Sequence, residues 1–123
     1  MALSVSGFDS AFDYKIIYES AASETANEDI AQGPCTLLSV EIDNTYGSNT
    51  HYLKIFDGDF ISASASTAQT ILECANAAIQ IYDLPDGLPF SKLNFWLTRN
   101  AASNDTTAPA VSGGTVVVRL VIK

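Results

Sequence analysis

The stretch Thr115-Val116-Val117-Val118-Arg119-Leu120-Val121-Ile122-Lys123 decides the fold. β-Branched side chains fit a pleated surface and lose χ1 freedom in a helix. Alternation puts Val116, Val118, Leu120 and Ile122 on one face. Val117, Arg119, Val121 and Lys123 take the other. The pattern predicts a last strand buried on one side, in a compact and rigid block.

Working outward, the same two-residue period recurs in short segments separated by turn chemistry. Strands are expected at 13–18, Cys35–Asp43, His51–Asp57, Thr70–Cys74, 78–82 and Leu93–Thr98. Core faces are assigned to Leu38, Val40 and Ile42, to Leu53 and Ile55, and to Leu93, Phe95 and Leu97, with Tyr52 and Lys54 outward. Residues 19–32 are acidic and rich in Ala and Ser, mostly loop, with a turn of helix around 27–31. Tyr46-Gly47-Ser48-Asn49 reads as a hairpin connection. Residues 60–68 read as an exposed loop. Leu84-Pro85-Asp86-Gly87-Leu88-Pro89 reads as a rigid turn, because proline fixes φ and Gly87 tolerates positive φ. Residues 100–114 form the longest polar loop. Residues 1–12 read as an arm that adds a strand or reaches a neighbour.

About seven strands at these intervals, without an amphipathic helix, predict an all-β fold. The expected architecture is one domain, an antiparallel two-layer β-sandwich, immunoglobulin-like or jelly-roll-like. At 123 residues such a domain buries a core without staples.

Fourteen acids against six bases give a net charge of −8. Nucleic acid and anionic membrane are excluded as partners, since both select basic patches. The charged fraction is 16%, below the usual ~25%, which suits a surface that meets other protein. No basic, apolar leader opens the chain, and no stretch approaches the ~20 apolar residues that span a bilayer. Synthesis and retention in a cytoplasm are expected. Cys35 and Cys74 are read as core thiols rather than a disulfide or a metal pair.

No catalytic constellation, metal site or cofactor site is expected. His51, the sole histidine, lacks a nucleophile-elbow sequence around any serine and is read as structural. A Cys74–His51 pair has nothing in the sequence to bring it together. Asp57 and Asp59, with Asp43, fall short of the six to eight oxygens calcium takes. Asp83, Asp86 and Glu73 are acids of the kind any acidic β-protein places near one another. Tyr52, Phe56, Tyr82 and Trp96 alternate outward. They form either an aromatic patch or a second face covered by the arm and loops.

Three runs carry a family likeness: Leu37-Leu38-Ser39-Val40-Glu41-Ile42-Asp43-Asn44-Thr45, His51-Tyr52-Leu53-Lys54-Ile55-Phe56-Asp57, and Leu84-Pro85-Asp86-Gly87-Leu88-Pro89-Phe90-Ser91 with Leu93-Asn94-Phe95-Trp96-Leu97-Thr98. Over residues 35–123 the chain resembles small virion proteins of tailed bacteriophages, among them capsid cement or decoration proteins built as β-sandwiches. It departs from them at the short, Ser/Ala-rich segment 60–68. The resemblance implies a structural role on the outer capsid surface, bridging capsomers, with the major capsid protein as partner. It implies synthesis in the bacterial host cytoplasm and a homo-oligomer, a trimer in particular. The arm and the loop at 100–114 are then the expected contact regions. The expected interface residues are Leu3, Val5, Phe8, Phe12, Tyr52, Phe56, Trp96, Asn104, Thr107 and Pro109. The alternatives are a carbohydrate- or receptor-binding module stacking on Tyr52, Tyr82 or Trp96, and another virion component of the neck, tail or fibre.

Overall fold

A computed structural model describes residues 3–7 and 14–123. These form eight strands: β1 (Leu3–Gly7), β2 (Lys15–Glu19), β3 (Cys35–Asp43), β4 (His51–Asp57), β5 (Thr70–Cys74), β6 (Ile79–Phe90), β7 (Leu93–Thr98) and β8 (Val117–Ile122). One sheet has the order β1-β2-β8-β3-β6 and the other β5-β4-β7. Every pairing is antiparallel. The fold is an antiparallel β-sandwich.

Residues 22–30 act as a degraded strand beside β7. Asn27 and Phe95 exchange backbone hydrogen bonds, the Ile30 N–H donates to Leu93, and the Leu97 N–H donates to Ser23. With β1 set aside and this segment counted second, the sheets run first-eighth-third-sixth and second-seventh-fourth-fifth. That is the winding of a jelly roll, not of an immunoglobulin domain.

The core is mainly aliphatic, with Phe90 and Phe95 in it. Ile17, Leu37, Val40 and Ile42 meet Leu53, Ile55, Leu93 and Leu97, and Val118, Leu120 and Ile122 of β8 close it as the alternation predicts. Cys35 and Cys74 are both buried and free.

Four local expectations need correction. The inward residue of β3 is Leu37, not Leu38, because the register with β6 and β8 shifts between Leu37 and Ser39. One extra residue reverses the phase of alternation. Residues 84–89 do not end a strand: β6 runs unbroken through them, and 84–87 bulge out between the Ser39–Asp83 and Leu37–Leu88 pairs. Residues 44–50 are no hairpin, for they carry the chain from one sheet to the other. Residues 27–31 form no helix, because their backbone groups are engaged with β7 and Asp29 takes positive φ. Among the described residues no helix is long and apolar enough to cross a membrane.

Candidate functional site

The two sheets differ in what covers them. Every residue of β7 is buried, so the smaller sheet is covered on both faces along β7, while Ile71 and Glu73 of β5 stay exposed on its outer face. On its outer face Lys54 pairs with Trp96 and Phe56 with Asn94. Trp96 is 1% exposed, with the Phe60 ring 5.3 Å away, centroid to centroid. Trp96 is therefore no exposed stacking platform, because the 58–69 connection folds over it. Lys54, expected outward, does face outward but is fully buried. Its Nζ donates to Thr98 Oγ1 at 2.8 Å and to the Ala102 carbonyl at 2.6 Å. Burial pushes its pKa down, against the opposing field of Asp105.

Polar side chains in the interior hold the connections. The Asn44 amide donates to the carbonyls of Asn49, Cys74 and Ala75. Its Oδ1 meets His51 Nδ1 at 2.8 Å, while His51 Nε2 accepts from the Ala110 N–H at 2.9 Å. One buried pair thus ties together three crossings between the sheets. Burial, with Arg99 adding to it, lowers the His51 pKa below the ordinary histidine value. Asn94 holds a second junction: it accepts from the Asp29 N–H and donates to the carbonyls of Phe56, Gly58 and Lys92. Glu19, fully buried, accepts from the Ala21 N–H and the Asn27 amide.

Of the residues weighed for chemistry, His51 and Cys74 are register partners across β4 and β5, and several of the acids are engaged locally. Asp57 accepts from the N–H groups of Ser91 and Lys92, Asp59 pairs with Lys92, and Asp43 accepts from Thr45. Tyr82 donates its hydroxyl to the Glu73 carbonyl. Burial pushes the thiols of Cys35 and Cys74 up, away from the reactive thiolate. Among the described residues no group of three or more His, Cys, Asp and Glu could hold a metal ion.

The expected interface residues fall into separate places. Leu3 and Val5 lie in β1, 39% and 49% exposed. They pair with Glu19 and Ile17 and so share the core-side face. Phe8 and Phe12 lie outside the described residues. Tyr52 and Phe56 are half-buried on the outer face of the smaller sheet, at the far side of the sandwich from β1. Asn104 is exposed and Thr107 half-buried in the 99–116 connection. Pro109 lines a shallow groove of about 280 Å³ with Ala21, Ala22, Val111 and Val116. That connection is anchored by Lys54 and His51, by a bridge between Gly47 and Val111, and by Asp105 accepting from Thr107 and Asn100.

On the outer face of the larger sheet the described side chains of β2, β8 and β3 are half-buried, and Ile79 and Ile81 of β6 are exposed. Tyr18, Arg119, Glu41 and Ile81 form one row across it. Arg119 pairs with Glu41 and lies 5.0 Å from the Tyr18 ring centroid. Ile16 and Val121 flank the row on one side, and Val117 and Ile79 on the other. The sequence pattern contained this face, yet nothing in it said which sheet the loops would cover. No family model, curated protein or solved structure matches the chain.

Proposed function

We propose that the chain is a structural protein of a tailed-phage virion that binds the outer capsid surface and bridges capsomers. One observation carries this reading: the sandwich folds its own loops over Lys54 and Trp96 of the smaller sheet and presents a half-apolar outer face on the larger one, most open at Ile79 and Ile81. Exposed apolar side chains flanking an ion pair in this way suit contact with other protein. On that face Arg119 is neutralised by Glu41, and Asp43 and Asp83 outnumber the remaining cation Lys123, which suits a neutral or basic patch on the shell. Jelly rolls serve as viral coat domains and as lectins alike, so the fold by itself does not choose. A sugar platform loses ground because Trp96 lies beneath Phe60 and the Tyr82 hydroxyl is already engaged.

Mass spectrometry and electron microscopy of particles purified from the virus that encodes the chain test the proposal. The expected result is regular density on the outer shell. Density confined to the neck, tail or fibre overturns the capsid placement. Absence from the particle overturns the virion reading altogether.

A further inference from the structure

The free edge of β6 has the properties of a pairing site. On the far side from β3, no described strand pairs with it. Natural edge strands are guarded by proline, charge or a bulge. The second half of β6 has all three, in Pro85, Asp86, Pro89 and the bulge at 84–87. The first half, Ile79-Gln80-Ile81-Tyr82-Asp83, has no proline and no bulge, and its one charge is at its end. Ile79 and Ile81 are 55% and 54% exposed, more than Leu3 or Val5 on the opposite edge. The run is also held in place: the Asn44 N–H donates to the Ala78 carbonyl at 2.8 Å, and Cys74 Sγ lies 3.4 Å from the same oxygen. A fixed edge loses little entropy when it pairs.

Strand direction selects the occupant. Five strands, each antiparallel to the next, leave β1 and β6 running the same way. A copy added head to tail would meet β6 in parallel, the weaker pairing. A two-fold axis normal to the sheet instead sets β6 against β6, antiparallel, with every edge N–H facing a carbonyl. We infer that a second copy of this chain pairs along residues 79–83, with the axis at Ile81. Ile81 then opposes Ile81, and Ile79 opposes Asp83. The two Asp83 carboxylates lie four residues apart along the pair, roughly 13 Å. That exceeds the Debye length of about 8 Å in physiological salt.

A five-residue edge buries far less than the ~1,200 Å² of a stable dimer, so the contact is weak in free solution. It gains strength where copies are held close together, as multivalent contacts do. The inference does not depend on what the chain binds.

Titrating the isotope-labelled protein from dilute solution to about 1 mM tests it by amide NMR and sedimentation. Concentration-dependent shifts centred on residues 79–83, with a monomer–dimer mass distribution, are expected. Because both copies are acidic, association should rise with salt. Ile81→Lys, at an exposed position, should weaken association about tenfold or more while leaving the circular dichroism unchanged. A monomer at the highest concentration overturns the inference. So do shifts centred on β1, a trimer, or an Ile81→Lys protein that associates like the parent.

Discussion

The Ala110 N–H can only donate, so His51 Nε2 carries no proton and its Nδ1–H faces Asn44 Oδ1. A proton added at Nε2 breaks the Ala110 bond and leaves a charge among buried groups, with Arg99 nearby. The folded pKa is therefore below the unfolded value near 6.5. The stabilisation is complete above that value and is lost as pH falls through the folded pKa. Urea denaturation at about pH 7.5 and 5.5 should show this loss in the parent and a flatter response in His51→Gln, which should itself cost about 1–3 kcal/mol. Lys54 poses the complementary case, a buried cation whose bonds end on Thr98 and Ala102. Lys54→Met removes the charge but leaves both acceptors without their donor, at a cost of about 1–3 kcal/mol. Hydrogen exchange should rise first at residues 100–107. If it rises uniformly instead, Lys54 is not what holds that connection. Neither role was legible in the sequence. Alternation gave Lys54 its outward face correctly, but a lid contributed by residues more than forty positions away leaves no mark on the local pattern.

At the scale of elements, strands with steady alternation were legible and their irregularities were not. The bounds of Cys35–Asp43, His51–Asp57, Thr70–Cys74 and Leu93–Thr98 coincide with β3, β4, β5 and β7. The core face of β3 was read correctly at Val40 and Ile42 and missed only at Leu38, where Leu37 points inward, because a bulge resets the phase and has no composition of its own. The prolines of β6 were read as a stop, whereas an edge strand tolerates them because one side needs no donor. Gly87 makes the bulge: its φ is +74°, and an added Cβ would lie 2.4 Å from Thr36 Cγ2. Gly87→Ala should cost about 1–3 kcal/mol through backbone strain and that clash. The loss should appear as a lower urea midpoint with unchanged slope. An unchanged midpoint would mean that β3 and β6 pair equally well without the bulge in its present shape.

For the molecule as a whole, the consequential feature is the unequal cover of its two sheets. The sequence established a sandwich and offered two fates for its outward aromatics, patch or covered face. The structure covers Trp96 and leaves more open a different face, the one that Val117 and Val121 help to form. The same charge introduced on the two outer faces should therefore have opposite consequences. Phe60→Asp puts a carboxylate against buried Trp96 and should cost about 2–4 kcal/mol, with red-shifted emission from the single tryptophan. Val121→Asp puts it on the outer face of the larger sheet, where the fold should change by less than about 1 kcal/mol. If that face is also what meets the shell, Val121→Asp should abolish sedimentation with capsids while melting like the parent. A Val121→Asp protein that unfolds as readily as Phe60→Asp would mean the larger sheet is covered after all. One that folds normally and still decorates capsids would leave the sandwich intact but move the docking surface elsewhere, to the 99–116 connection or the β1 edge.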